Sequence, residues 1–342
     1  MEKILLLLGV DAEGKLSKAG LEAVEQARRL ACSLDGASWT IGLVGRDVGA
    51  AARQVAATGA GKLLAVAGDA FAHPRYASDA DAAAVLARRS EATLILAPAD
   101  SRWMRALPGA AHRLGAAVDT HIAGIEAADG AVRVRRWYYR QRIEAVQTRQ
   151  SRPWVLLVDA GNVEPWSGEA AEAAVEEVPV EASESWNRTT VVGTKAPEID
   201  QQTIRPDAGL LFVAGAGWTK KQADGRVHVE EAAELILDFV RKTKCSLGSS
   251  KSLVDLSSEG QAVLPFLTHL HQVGQTGSTP RHPKGLATCC HGEEPHVVGW
   301  RFIKERRAVN LDPNCGWAQG KADVLYVADA FAVMREVNRL LG

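Results

Sequence analysis

Short apolar runs alternating with longer amphipathic segments constrain this chain more than any other feature of it. The runs at residues 4–10, 39–44, 62–67 and 93–97 are separated by segments at 17–34, 49–58, 78–89 and 103–114 whose apolar residues recur at helical spacing. A run such as Ile4-Leu5-Leu6-Leu7-Leu8 is apolar on both faces, as a strand inside a parallel sheet must be. Parallel neighbours also need a crossover segment between them, so the rhythm predicts a βαβ layer. Gly115 follows the fourth amphipathic segment, where a left-handed helix cap belongs.

After Asp119 the runs shorten to 120–125, 132–139, 145–148 and 154–158, which predicts a small antiparallel addition to that layer. In residues 164–205 the composition shifts. Glu164, Glu169, Glu172, Glu176, Glu177, Glu181 and Glu184 crowd together with few large apolar residues, as in an exposed connector. A second α/β unit restarts beyond it, with strands at 209–214, 252–256, 285–288 and 307–310 and helices at 229–242 and 331–341. The expected organisation is α/β throughout: two doubly wound parallel-sheet domains, over 1–163 and 206–342, joined by an acidic connector over 164–205.

The 342 residues suffice for two cores at about 100 to 200 residues per domain. A composition 46% hydrophobic and 24% charged excludes disordered and collagen-like classes. The net charge of -1 supplies no global field for phosphates, so no nucleic-acid partner is expected. Trp137-Tyr138-Tyr139, flanked by Arg135, Arg136, Arg140 and Arg142, reads as a strand in a subunit contact rather than a nucleic-acid stripe. The five cysteines (Cys32, Cys245, Cys289, Cys290 and Cys315) read as reduced thiols of a cytoplasmic protein. No apolar stretch approaches the roughly 20 residues that cross a bilayer, and Glu2 with no cleavage site speaks against a signal peptide; no direct membrane insertion is expected.

Chemistry concentrates in the second half. In Val273-Gly274-Gln275-Thr276-Gly277 the glycines let the backbone approach a ligand, and the threonine hydroxyl and backbone N–H groups offer donors to it; a surface turn explains the same string equally well. Cys289-Cys290-His291, with His296 and Cys315, matches no standard ligand spacing, so no metal is expected. No nucleophile-and-base pair, Walker loop or hydrolase elbow is present, so no catalytic residues are expected.

Taken in order, several segments resemble the electron transfer flavoprotein alpha-subunit family over nearly the whole chain. In the first half these are Gly14-Lys15-Leu16-Ser17, Leu94-Ile95-Leu96-Ala97-Pro98-Ala99 and Arg113-Leu114-Gly115-Ala116. In the second half, Gly248-Ser249-Ser250-Lys251 stands where the family reads Gly-Ala-Ser-Arg, and Val273 to Gly277 where it reads Val-Gly-Gln-Thr-Gly. His291-Gly292-Glu293-Glu294-Pro295-His296 falls without gaps on Ser-Gly-Ala-Ile-Gln-His, and Val309-Asn310-Leu311-Asp312-Pro313 on Ile-Asn-x-Asp-Pro.

The resemblance implies a Rossmann-like (DHS-like) C-terminal domain that binds FAD, and an N-terminal domain that contacts a beta subunit in a heterodimer. It implies that Thr276 hydrogen-bonds the flavin N5 and that His296 contacts the pyrimidine end of the ring. Ser250 and the backbone of Val273, Gly274, Gln275 and Thr276 would hold ribityl and phosphate groups, with His291 and Gly292 at the start of the pyrophosphate helix. Asn310 and Asp329 would bind the adenosine portion. Lys251 would keep a positive charge beside the flavin but without the planar guanidinium. Such donors favour added electron density on the ring and so raise its potential.

The implied function is an electron carrier without substrate turnover of its own, receiving electrons from a flavin dehydrogenase and passing them to a quinone oxidoreductase. Mobility of the flavin domain about residues 200–206 is expected to present the ring to each partner in turn. The chain departs from the family pattern at Ala216, which replaces a cation, and at His291, Glu293 and Glu294, which alter the turn that meets the phosphates. These departures point to a specialised member serving one catabolic dehydrogenase, with methylated amines as its substrate class. Two other readings stand beside this one: a nicotinamide-dependent oxidoreductase subunit, and a flavin-less assembly or docking subunit.

Overall fold

The computed structural model describes residues 1–139, 143–193, 204–205, 208–255, 262–273, 281–288, 303–314 and 322–342. They form two compact units, Met1–Gly193 and Thr194–Gly342. The first unit runs β1 (Lys3–Gly9), α1 (Lys18–Ser33), β2 (Ser38–Gly45), α2 (Gly49–Val55), β3 (Lys62–Ala67), α3 (Tyr76–Arg89), β4 (Leu94–Pro98) and α4 (Ser101–Leu114). It continues with β5 (Ala117–Ala128), β6 (Ala131–Tyr138), β7 (Ile143–Gln147), β8 (Trp154–Val158) and β9 (Val175–Glu177). These strands make one nine-stranded sheet in the order β7-β6-β5-β8-β4-β1-β2-β3-β9. Pairing is parallel from β5 to β9 across the sheet and antiparallel for β5-β6 and β6-β7, which is the small addition expected from the shortened runs.

The period-2 geometry of β1 divides its leucines between two layers. Ile4, Leu6 and Leu8 face α1 and α2, while Leu5 and Leu7 face α3 and α4. All five are essentially inaccessible to water. Helix starts and stops follow local chemistry: the Ser17 hydroxyl accepts from the Gly20 N–H (3.1 Å), the Asp100 carboxylate accepts from the Trp103 N–H (2.9 Å), and Gly115 closes α4 in the left-handed conformation. Asp119 on β5 ties the antiparallel addition to the core. Its carboxylate accepts from Arg136 (2.6 Å), Arg149 (2.5 Å) and the buried Trp154 indole (2.9 Å).

Residues 164–193 depart from the expected exposed connector and fold onto the first unit. Trp166 donates its indole N–H to the Gln54 carbonyl (3.3 Å), β9 pairs with β3, and Glu176 pairs with Arg89. The buried Trp186 packs its ring edge-on against Phe71 (5.4 Å between centroids) and donates to Asp81 (2.8 Å). A few well-spaced apolar anchors outweigh the acidic composition, because each tryptophan removes a large apolar area from water.

The second unit contains β10 (Leu210–Ala214), α5 (Val229–Thr243), β11 (Ser246–Ser249), α6 (Lys251–Asp255), β12 (Lys284–Thr288), β13 (Glu305–Asn310), β14 (Val324–Val327) and α7 (Ala330–Leu340). Its sheet is wholly parallel, ordered β11-β10-β12-β13-β14. The strand expected at 252–256 is absent from the described part of that span, where α6 lies instead. The Ser250 hydroxyl accepts from the Leu253 N–H (3.3 Å) and starts a helical turn that buries Leu253 and Val254. The strand is the preceding Ser246–Ser249, buried at every residue despite its polar composition.

Candidate functional site

In the second sheet β10 leads through α5 to β11 on one side, and β12 pairs on the other, so a topological switch point lies between β10 and β12. Open α/β sheets bind ligands outside the carboxyl ends of their strands at such a point. Parallel pairing brings Ala214, Ser249, Thr288, Asn310 and Val327 to that one edge. Of the residues implied by the resemblance, Ser250, Lys251, Val273, Asn310 and Asp329 are described; four of them end or follow these strands, and Val273 joins the edge through its backbone bond to Ser249. Gly274, Gln275, Thr276, His291, Gly292 and His296 lie outside the described residues, as do Glu293, Glu294, Cys289, Cys290 and Cys315.

Backbone bonds stitch the loops to the strand ends. The Ser250 N–H donates to the Ala214 carbonyl (2.9 Å), the Val273 N–H to the Ser249 carbonyl (3.0 Å) and the Gly215 N–H to the Thr288 carbonyl (2.8 Å). Val273 can enter the sheet edge only because residue 248 is glycine: a Cβ there would come within 2.6 Å of the Val273 Cγ2. Val273, the last described residue before the Gly274 to Gly277 stretch, is therefore a buried anchor directly beside the end of β11.

The side chains at this edge are mostly neutral. Ser250 is buried and its hydroxyl engages α6; the Asn310 amide oxygen accepts from the Asp312 N–H (3.0 Å). Asp329 caps α7, its Oδ1 accepting from the Ala332 N–H (2.8 Å). Lys251 is half-exposed, with its Nζ drawn back along its own helix to within 3.3 Å of Asp255 Oδ2. Ala216 is buried in a 3₁₀ turn, Ala216–Thr219, and brings no charge to the site.

Three residues at this edge are not among the expected site residues. Trp218 is fully buried, donates its indole N–H to the Thr288 hydroxyl (2.9 Å) and packs on Phe331 (4.6 Å between centroids). The Thr288 hydroxyl in turn donates to the Val213 carbonyl (3.2 Å). Ser249 ends β11 with its hydroxyl buried and without a hydrogen-bond partner among the described residues. Only strand pairing reveals these roles, since the three residues come from three separate segments.

The electron transfer flavoprotein domain model matches residues 4–183, just over half of the chain. The chain belongs to the electron transfer flavoprotein family. It is 27% identical to the electron transfer flavoprotein subunit alpha of Mycobacterium leprae (strain TN) over 97% of this chain and 96% of that one. It is 24% identical to protein FixB of Clostridium saccharobutylicum over 96% and 91% of the two chains. To the mitochondrial electron transfer flavoprotein subunit alpha of Oryza sativa subsp. indica it is 26% identical over 82% and 74%. These alignments extend well beyond residue 183 and take in the second sheet. The match thus identifies a divergent alpha-type member of a flavoprotein family of electron carriers.

Among the described residues of this family member, no group of three or more His, Cys, Asp or Glu side chains is placed to hold a metal ion. No described helix is long and apolar enough to cross a membrane.

Proposed function

We propose that this chain is the FAD-binding alpha subunit of an electron transfer flavoprotein. It would pair with a beta subunit, accept electrons from a flavin dehydrogenase and pass them to a quinone oxidoreductase. The observation that carries this reading is the convergence of Ser250, Val273, Asn310 and Asp329 on the carboxyl edge of a parallel sheet in a chain of this family. The described donor set fits the polyol and adenosine parts of FAD: hydroxyl, amide and carboxylate groups suit ribityl and ribose hydroxyls, and the Ser249 hydroxyl, unpartnered among the described residues, adds a further donor at the same edge. When bound, the flavin supplies the one- and two-electron chemistry. Ser250 and the backbone at Val273 hold the chain of the cofactor, Asn310 and Asp329 hold its adenosine end, and Lys251 supplies a cation near the ring, weakened by Asp255. By the family resemblance, Thr276 and His296 would contact the ring, and His291 and Gly292 the phosphates. The donor is read as a catabolic dehydrogenase acting on methylated amines.

The test is to purify the chain with its beta subunit and measure flavin per heterodimer and its absorbance spectrum. A yellow complex with one FAD released from the alpha chain supports the reading. A colourless complex that added FAD cannot reconstitute overturns it and leaves a docking subunit.

A further inference from the structure

The first unit has a switch point of its own. Its strand order β3-β2-β1-β4 reverses between β1 and β4, with α1 and α2 on one face and α3 and α4 on the other. A sheet of this order takes nucleotides outside the carboxyl ends of these strands. Here those ends are crossed by a side chain of the protein itself. Arg102, in the first turn of α4, passes over Gly9 at the end of β1. Its Nη1 donates to the Val44 carbonyl near the end of β2 (3.3 Å), and its Nη2 to the Phe71 carbonyl just after β3 (3.1 Å). The same Nη2 lies 2.6 Å from Asp79 Oδ1 on α3. Arg102 is 5% exposed and Asp79 is wholly buried.

This path depends on Gly9, where a Cβ would come within 2.8 Å of the Arg102 Cδ. A buried guanidinium is tolerated only when its charge is paired and its donors are satisfied. Two backbone carbonyls and one carboxylate bind its terminal nitrogens here, while Nε has no acceptor among the described residues. A nucleotide at a switch point brings a phosphate to the strand ends; in this unit the carboxylate of Asp79 already occupies the cation there. Burial raises the Asp79 carboxyl above its ordinary range despite Arg102, and burial likewise raises Asp100, the cap of α4.

We propose that Arg102, clamped by Asp79, is a plug that closes the first unit's switch-point crevice to adenine nucleotides, so that nucleotide binding by this chain is confined to its second unit. The closure is a property of the first unit and does not depend on the flavin reading. A merely structural ion pair would affect stability alone, whereas a plug also decides what can bind.

The full chain, wild type and Arg102→Ala, is irradiated with 8-azido-AMP, digested, and the labelled peptides are mapped by mass spectrometry; label in the second unit falls in separate peptides. The expected result is no label within residues 1–139 of the wild type and at least about tenfold more label there in the variant, competed away by AMP. Labelling of those peptides in the wild type overturns the proposal, as does a folded Arg102→Ala protein that melts lower and takes no label. Should Arg102→Ala not fold, Asp79→Asn leaves the buried guanidinium without its carboxylate. AMP or inorganic phosphate then raises the melting temperature of Asp79→Asn by more than it raises that of the wild type, where only the second unit can respond. The absence of that difference would overturn the plug.

Discussion

The Cγ2 methyl of Val273 stands over Gly248 so closely that a Cβ on residue 248 would meet it at 2.6 Å. Both residues are buried, and the Val273 N–H is simultaneously bonded to the Ser249 carbonyl (3.0 Å). Neither the valine nor its backbone can retreat without breaking the edge of the sheet.

Gly248→Ala should therefore cost about 1 to 3 kcal/mol of stability, as overpacking of a close-packed core does. Because Val273 begins the Val-Gly-Gln-Thr-Gly motif proposed to hold the flavin, flavin content per heterodimer should fall as well. Thermal denaturation with and without added FAD checks both. A Gly248→Ala protein that melts like the wild type and carries as much flavin would remove Gly248 from the site.

Ser249 presents the opposite case. Its hydroxyl is buried with no partner among the described residues, so within them the group has lost its water without a compensating bond. Ser249→Ala removes that penalty and should raise the stability of the flavin-free protein by about 1 to 3 kcal/mol. A lower melting temperature in the variant would mean that the hydroxyl has a partner after all. If FAD engages this hydroxyl, the gain shrinks or reverses in the flavin-loaded protein.

These two residues also mark how far the sequence could be read. Strands such as β1 and β4 were legible because residues apolar on both faces leave a continuous run, and the order of crossovers followed from it. The strand Ser246–Ser249 was not, since serine and glycine carry no apolar signal and its burial comes from neighbours on both sides. The apolar residues Leu253, Val254 and Leu256 mimicked a short strand at 252–256, because the cap supplied by Ser250 is visible only in space. At the site, Ser250, Val273, Asn310 and Asp329 were readable from ordered motifs, whereas Thr288 and Trp218 acquire their roles only when parallel pairing aligns the strand ends. Arg102 stayed hidden for a related reason: an arginine early in an amphipathic helix reads as a surface charge until the strands bring Gly9, Val44 and Asp79 around it.

Asp119 predicts how the first unit responds to acid. Burial alone would raise its carboxyl, but hydrogen bonds from Arg149 and Trp154 and the charges of Arg149 and Arg136 outweigh that and hold it below its ordinary value. A carboxyl that binds its proton less readily when folded contributes stability in full above the unfolded value of about 3.9, and that contribution is lost as pH falls through the lowered folded value. Asp119→Asn should cost about 2 kcal/mol at neutral pH, since charge-assisted bonds become neutral ones. Its stability should then fall less steeply than that of the wild type below about pH 4. Urea melts of both proteins across that range measure the difference, and parallel curves would assign the acid sensitivity to other carboxyls.

Trp186 predicts where the acidic segment lets go. Its indole ring covers Phe71 edge-on at 5.4 Å, its N–H reaches Asp81 at 2.8 Å, and the Arg75 guanidinium both lies over the ring at 5.8 Å and donates to the Trp186 carbonyl. Trp186→Ala deletes the ring that fills this place and should cost about 3 to 5 kcal/mol. Trp186→Phe keeps most of the apolar contact and loses mainly the bond to Asp81, about 1 kcal/mol. Since β9 adds only a three-residue edge, the alanine variant should also free the stretch from Glu164 to Gly193 for limited proteolysis before the rest of the first unit unfolds. The phenylalanine variant should stay protected. Equal cleavage of all three proteins would show that pairing of β9 with β3, and not the tryptophan, holds the segment down.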